Sequence, residues 1–355
     1  MKVKELFTLK ERPILIAGPC SVETESQLLE TSTRLNRTGK VDLIRGGIWK
    51  PRTRPGSFEG VGAIGLPWLK KVKEQTGLPV CTEVAKAVHV DLCLQFGIDV
   101  LWIGARTTVN PFDVQEIADA LKGVDIPIMI KNPINPDLAL WIGGVERLQK
   151  AGVNTIAAIH RGFSFTGEKV FRNRPQWQLA IDFKQEMPGI PMINDPSHIC
   201  GRRDLLQSVA QKAMDLNFDG LIIESHINPD EAWSDAKQQI TPEIYAELIS
   251  SLILRKNDIT DPIKITKLEQ LRKQIDIIDD ELIHMLASRM KVSREIGAYK
   301  KENEITILQS NRWKEILDKF LEKAKQNNLS EEFMTRFIKA IHDESISQQE
   351  KVIND

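Results

Sequence analysis

The fold is decided by the stretch Val41-Asp42-Leu43-Ile44-Arg45-Gly46-Gly47-Ile48-Trp49-Lys50-Pro51-Arg52-Thr53-Arg54-Pro55 and by its flanks. A short apolar run, Val41 to Ile44, leads into Arg45, Lys50, Arg52 and Arg54, which are interleaved with Gly46, Gly47, Pro51 and Pro55. A helix cannot cross such a segment, because glycine is unconstrained and proline lacks an N–H. An amphipathic run from Val61 to Val72 follows. The segment is therefore a strand-to-helix loop that carries its cations on stiff backbone. Alone, it reads as a basic surface patch of the kind that meets nucleic acid. The chain's net charge of −1 supplies no wider field for such a partner, so none is expected.

Working outward, the same pattern recurs. Short apolar or β-branched runs lie at Pro13–Ala17, Val41–Ile44, Pro79–Thr82, Val100–Ile103, Pro127–Ile130, Thr155–Ile159, Pro191–Ile193 and Gly220–Ile223. Each is bounded by Gly, Pro or charge, as expected of strands buried on both faces. Amphipathic segments of helical length, such as Pro136–Ala151 and Arg202–Leu216, separate them. Eight strands alternating with helices over about 250 residues is the arithmetic of a (β/α)8 TIM barrel. An open doubly wound sheet is the rival, but no GxGxxG follows the first strand.

Composition changes near residue 257: only Pro262 and Gly297, of 17 prolines and 21 glycines, lie beyond it. The expected domains are a barrel over 1–256, a linker over 257–266 and a helical domain over 267–355. Four cysteines, Cys20, Cys81, Cys93 and Cys200, are too sparse for a disulfide framework and point to a reducing cytoplasm. No run approaches membrane-spanning length, and Met1 to Lys10 has no signal-peptide core. With about a dozen residues before the first strand, no N-terminal regulatory domain is expected.

Every strand end carries a reactive or charged group. In order they are Cys20; Arg45, Lys50 and Arg52; Glu83; Arg106; Lys131; His160 and Arg161; Asp195 and His198; Glu224 and His226, with Asp235 further on. In a barrel these ends share one rim, where such folds place their chemistry. One such residue alone reads as a salt-bridge partner or a cap, but the set is a signal. Cys20, His198, Glu224 and Asp235 form a mixed sulfur, nitrogen and oxygen set suited to a divalent transition metal. Arg45, Lys50, Arg52, Arg106, Lys131 and Arg161 imply a substrate with several negative charges.

Gly18-Pro19-Cys20-Ser21, Lys50-Pro51-Arg52-Thr53, Gly104-Ala105-Arg106-Thr107, Ile130-Lys131-Asn132-Pro133, His160-Arg161-Gly162, Asp195-Pro196-Ser197-His198 and Glu224-Ser225-His226 occur in order. Over about residues 10 to 250 the chain thereby resembles type I 3-deoxy-D-arabino-heptulosonate 7-phosphate synthases, most closely the Iβ branch. That resemblance implies condensation of phosphoenolpyruvate with erythrose 4-phosphate at the head of the shikimate pathway. It implies one divalent metal (Mn, Fe, Co or Zn) on Cys20, His198, Glu224 and Asp235. Arg45, Lys50, Arg106, Lys131 and Arg161 would hold phosphoenolpyruvate, with Glu83 near its water. Arg52, Thr53 and Asp195 would meet erythrose 4-phosphate, and Lys50 would protonate the forming alkoxide. Arg54 departs from a small Ser found in many members.

The second part opens with an almost unbroken helix, Lys267 to Lys301. Leu268, Leu271, Ile275, Ile278, Leu282, Met285 and Leu286 repeat at alternating three and four, a heptad-like seam. At 1.5 Å per residue the helix is roughly 50 Å long, so a second copy is expected along it, giving at least a dimer. Shorter helices follow at Leu308–Gln326 and Ser330–Val352, with Ser330 as N-cap ahead of Glu331 and Glu332. Residues 265 to 352 resemble the AroQ class of chorismate mutase. On that resemblance Arg272, Arg289, Lys300, Arg312 and Gln348 would bind chorismate or prephenate, Arg272 reaching into a neighbouring subunit. Gln309 and Trp313 flank Arg312 where some members carry acids, and Glu344 stands where some have Ser. The fusion suggests that prephenate or chorismate bound here feeds back on the barrel. The rival reading makes this domain a non-catalytic sensing and dimerisation module.

Overall fold

The structure, a computed structural model, describes residues 3–7, 13–51, 56–255 and 262–354. The chain divides into two compact units, Met1–Asn257 and Asp258–Asp355. In the first, eight parallel strands close a barrel in sequence order. They are β1 (Ile14–Gly18), β2 (Leu43–Arg45), β3 (Val80–Val84), β4 (Val100–Ile103), β5 (Ile128–Lys131), β6 (Ile156–His160), β7 (Met192–Asn194) and β8 (Gly220–Glu224). Closure is made by β8 pairing with β1, Ile14 opposite Gly220 through Gly18 opposite Glu224. Each expected run holds one strand. Most are displaced a residue or two towards the C-terminus, so that several strands end on their first polar residue.

Eight main helices wrap the barrel, one after each strand: α1 (Glu25–Arg37), α2 (Gly65–Thr76), α3 (Ala87–Gln95), α4 (Pro111–Ala120), α5 (Leu138–Lys150), α6 (Trp177–Glu186), α7 (Leu206–Asp215) and α8 (Pro242–Ser251). The core has two layers. The outer one joins alternate strand residues to the helices, as Ile44 and Ala158 meet Leu69 and Phe183. The inner one fills the barrel with Ile16, Leu43, Cys81, Trp102, Met129, Ile159, Ile193 and Ile222. Leu6 and Phe7, on the 3-10 turn Val3–Phe7, pack into this inner layer, and Lys4 pairs with Asp125 just ahead of β5. The turn thus plugs the N-terminal end of the barrel, a role that a stretch this short does not announce.

The period-2 alternation of a strand then fixes what stands on the opposite rim. Two residues beyond an inward-facing apolar side chain comes another inward position. Leu43 is followed in this way by Arg45, Cys81 by Glu83, Met129 by Lys131, Ile159 by Arg161, Ile193 by Asp195 and Ile222 by Glu224.

The second unit contains α9 (Pro262–Glu302), α10 (Ser310–Gln326) and α11 (Glu331–Asn354). Helix α9 begins inside the stretch expected as linker. Ser330 Oγ accepts the Phe333 N–H at 3.3 Å, so the expected N-cap forms. Gly297 permits the close crossing of α9 and α11: a Cβ there would lie 3.0 Å from the Gln349 Cα. Along α9, Leu271, Ile275, Ile278, Leu282 and Met285 are exposed. No helix among the described residues is long and apolar enough to cross a membrane.

Candidate active site

The inward positions at the C-terminal ends of the strands converge. Arg45 is fully buried at the end of β2, over the Trp102 ring at 5.0 Å. It donates to the Cys20 carbonyl at 3.1 Å and lies 3.2 Å from Glu224 Oε1. Its Nε and Nη1 have no partner, an unusual state for a buried guanidinium and one that calls for an anion. Lys50 donates to the Cys20 carbonyl at 2.8 Å and to its Sγ at 3.0 Å. Lys131 meets Asp195 Oδ2 at 2.8 Å. Glu83 accepts from Trp102 Nε1 at 3.2 Å. Gly104 is required beside it, since a Cβ there would stand 2.0 Å from Glu83 Oε1.

Cys20, His198, Glu224 and Asp235 offer ligand atoms all within 4.8 Å of one another. The Cys20 thiol donates to Asp235 Oδ2 at 3.1 Å, and its N–H to Gln239 Oε1 at 3.0 Å. His198 lies on the short helix Pro196–Cys200, capped by Asp195, whose Oδ1 accepts the His198 N–H at 3.0 Å. The imidazole Nδ1 sits 2.8 Å from Asp195 Oδ2, which leaves Nε2 turned towards Glu224 at 3.6 Å and Asp235 at 4.0 Å. Glu224 Oε2 accepts from Gln238 at 2.7 Å, while the buried Oε1 has no hydrogen-bond partner. A soft thiol, an imidazole and two carboxylates gathered at one point fit a borderline divalent metal.

Electrostatics sharpen this. Burial pushes the Cys20 thiol well above its ordinary range, with Glu224 adding to it and Lys50 opposing. Burial also presses Asp195, Glu224 and Asp235 upward, yet all three are held below the carboxylate range by the charges around them. His198 is itself lowered, by burial. The charge that holds the three acids down is first of all His198 in each case, followed by Lys131 and Arg45 for Asp195, Arg45 and Lys50 for Glu224, and Arg172 and Lys50 for Asp235. A neutral His198 has a lone pair to give. Arg161, buried beside Arg172 and Arg106, is pushed down to about 10 by burial and their repulsion.

These groups border a pocket with about 500 Å³ of empty space, lined by Lys50, Glu83, Arg106, Lys131, Arg161 and His198 among others. Arg172 also lines it, and sequence reasoning missed this residue. It donates to Asp235 Oδ1 at 2.8 Å and to Gln238 Oε1 at 2.7 Å. It stands in the long segment after β6, where no periodic pattern marks it. Two expected rim residues turn elsewhere. His160 is outward-facing by strand alternation, donating from Nε2 to the Pro175 carbonyl at 2.6 Å among Phe163, Trp177 and Phe218. His226 is buried against Glu23 at 3.3 Å. Arg52 and Thr53 lie outside the described residues.

In the second unit Arg289 and Lys300 face inward from α9. Arg289 bonds Ser345 Oγ, and Lys300 reaches the Ile307 carbonyl at 2.5 Å and Gln349 Oε1 at 3.1 Å. Burial lowers both cations. Gln348, expected beside them, instead bridges Arg294 and Glu344 on the outer side. The reason is helical phase: one residue along α11 is a turn of about 100°, which brings Ser345 and Gln349 inward in place of Glu344 and Gln348. Arg312 is exposed and pairs with Glu315 at 2.9 Å, and Arg272 is exposed. Trp313 stacks on His342 at 4.0 Å.

Comparison with known proteins agrees with this geometry. Residues 6–257 match the model of the DAHP synthetase I family, and residues 271–350 that of chorismate mutase type II. Phospho-2-dehydro-3-deoxyheptonate aldolase from Thermotoga maritima is 32% identical over 238 residues, 67% of this chain and 68% of its own. A 2-dehydro-3-deoxyphosphooctonate aldolase from Thioalkalivibrio sulfidiphilus is 29% identical over 68% of this chain and 89% of its own. The crystal structure of the Thermotoga maritima DAHP synthase superposes with a TM-score of 0.61 at 32% identity, covering 67% of this chain and 68% of that one. The chain belongs to the DAHP synthetase I family and carries a type II chorismate mutase domain at its C-terminus, two enzyme families of the shikimate pathway in one polypeptide.

Proposed function

We propose that the barrel condenses phosphoenolpyruvate with erythrose 4-phosphate in a reaction that depends on a divalent metal. The observation that carries this is the joining of two sets by Lys50. Its ammonium contacts the thiol of the four-ligand group while lining the pocket with Arg106, Lys131 and Arg161. Cys20, His198, Glu224 and Asp235 would hold the metal, which when bound supplies Lewis acidity to the aldehyde oxygen. Arg45, Lys50, Arg106, Lys131 and Arg161 neutralise phosphoenolpyruvate and hold it against a second anion, a proximity effect. C3 of phosphoenolpyruvate bonds to the aldehyde carbon, and Lys50 gives its proton to the oxygen that becomes a hydroxyl. Water, oriented from Glu83, adds at C2, and phosphate departs with its bridging oxygen. Arg52, Thr53 and Asp195 hold the aldehyde substrate.

In the helical unit, the reading is conversion of chorismate to prephenate. The rearrangement needs preorganised charge and no nucleophile, and the inward Arg289 and Lys300 supply it. Ser345 and Gln349 stand inward beside Arg289 and Lys300, the place expected of Gln348. The exposed apolar seam of α9 supports at least a dimer, and Arg272 would serve a neighbouring copy. Prephenate or chorismate bound here would inhibit the barrel. The exposed Arg312, and Gln309 and Trp313 beside it, favour a second reading in which the unit senses ligand without turning it over. We place both activities in the cytoplasm. Loss of chorismate absorbance with purified protein separates the two readings of the helical unit. Offering a five-carbon aldose phosphate in place of erythrose 4-phosphate tests the barrel's choice of aldehyde.

A further inference from the structure

His226, turned away from the pocket, begins a chain of contacts that runs to Asp235. Its Nδ1 accepts the Asn228 N–H at 2.9 Å, so Nε2 carries the proton and meets Glu23 Oε2 at 3.3 Å. The other oxygen of Glu23, Oε1, accepts the Trp233 N–H at 2.7 Å. Ser234, next in the chain, is held twice: its hydroxyl lies 2.5 Å from Ser21 Oγ, and its carbonyl accepts from Gln239 Nε2 at 2.8 Å. Gln239 Oε1 in turn accepts the Cys20 N–H at 3.0 Å. Glu23, His226, Ser21, Ser234 and Gln239 are all buried. Asp235 follows directly in the left-handed region, at φ 52° and ψ 34°. Residues other than glycine seldom stand there, though Asp tolerates it better than most. They stay only where the surroundings over-determine the backbone.

We infer that Glu23, oriented by His226, is a positioning residue that sets Asp235 opposite Cys20 and so tunes how tightly the four-ligand group holds its metal. The inference rests on the metal reading proposed above. Three of the four ligands are carried on or beside regular structure: Glu224 ends β8, Cys20 stands just after β1, and His198 lies on the helix Pro196–Cys200. Asp235 comes instead from the irregular segment after β8, between the 3-10 turns Pro229–Glu231 and Ala236–Gln238. A carboxylate suits the task because its two oxygens take the Trp233 and His226 N–H groups at once, whereas an amide has one oxygen for two donors.

The test is equilibrium binding of cobalt(II) alone to full-length metal-free protein, in competition with a chelator. The variants E23A, E23Q, D235A and E23A/D235A are compared with the wild type. E23A weakens cobalt binding about 10–100-fold, as for loss of a ligand's supporting partner, and E23Q falls between E23A and wild type. In the cobalt spectrum of E23A the thiolate charge-transfer band from Cys20 stays, while the ligand-field bands move towards those of D235A. The double variant binds no more weakly than D235A, because Glu23 acts through Asp235. Additive losses in the double variant, or an E23A that binds cobalt as the wild type does, overturn the inference. Where E23A does not fold, E23Q and E23Q/D235A give the same comparison, and wild-type affinity in E23Q overturns the inference. A wild type that takes up no cobalt refutes the metal reading on which the inference stands.

Discussion

The two units solve the problem of gathering cations in opposite ways. In the barrel, rigid strands bring Arg45 and Lys131 to the rim fully enclosed, each against an acid: Glu224 for Arg45 and Asp195 for Lys131. In the helical unit, Arg289 and Lys300 are only partly matched, by Ser345, Gln349 and a backbone carbonyl, while Arg272 and Arg312 face solvent. A barrel rim is complete in one chain because eight strand ends meet on a closed circle. A long helix with an exposed apolar seam is complete only when something lies along it. What the difference teaches is that the barrel site is finished by folding, whereas the helical one, on the proposed reading, is finished by assembly.

The largest expected effects fall where the barrel is most closed. C20A or H198A lowers the condensation rate by more than about 10²-fold, beyond the 10–100-fold typical of losing a ligand's supporting partner. R172A loses a supporting partner of Asp235, so it belongs in that smaller range and weakens retention of metal measured by elemental analysis. In the helical unit, K300A lowers prephenate formation by roughly 10²–10³-fold, as for loss of one preorganised donor. Q349A should also be impaired, whereas Q348A stays within about twofold of wild type, since this half-buried side chain bonds only Arg294 and Glu344 away from the two inward cations. Equal losses in Q348A and Q349A would break the assignment of inward phase. R289A in the full-length chain abolishes inhibition of the condensation by prephenate while sparing its uninhibited rate. Prephenate that inhibits R289A as it does wild type would sink the sensor hypothesis. Substituting Ile278 by Asp in the exposed seam shifts the protein towards monomer in sedimentation, and mutase activity falls with it.

A separate effect, on stability rather than turnover, is one of pH. Burial holds His160 down at about 4, against 6.5 for an ordinary imidazole. Between these values the unfolded chain takes up a proton that the folded one refuses, so stability falls as pH drops from about 6.5 to about 4. The full contribution is roughly 3 kcal/mol. H160N removes this slope from urea-melt stabilities, whatever it does to their absolute level.

Much of this was legible in the sequence because strands and loops declare themselves differently from helices. Eight apolar runs with punctuation at both ends define a barrel, and the inward-facing residues at or just beyond their ends land on one rim. Alternation also shows why His160 is no rim group while Arg161 is: they are adjacent, so they face opposite ways. On α11 the same one-residue step mattered and was lost, because Ser345-Ile346-Ser347-Gln348-Gln349 offers two glutamines and no sharp polarity boundary to set the phase. Arg172 carries no local signal at all; only the path of the loop after β6 brings it to Asp235. The plug formed by Leu6 and Phe7 is likewise a matter of tertiary fit.

The central claim is that one pocket joins two anions through a metal-ligating thiol and a lysine. It is tested most directly by phosphate release from phosphoenolpyruvate, with and without erythrose 4-phosphate, before and after chelation. The account predicts release only when the aldehyde is present, lost after chelation and restored by a divalent transition metal. Release at the same rate without the aldehyde, or undiminished in metal-free protein, would contradict it.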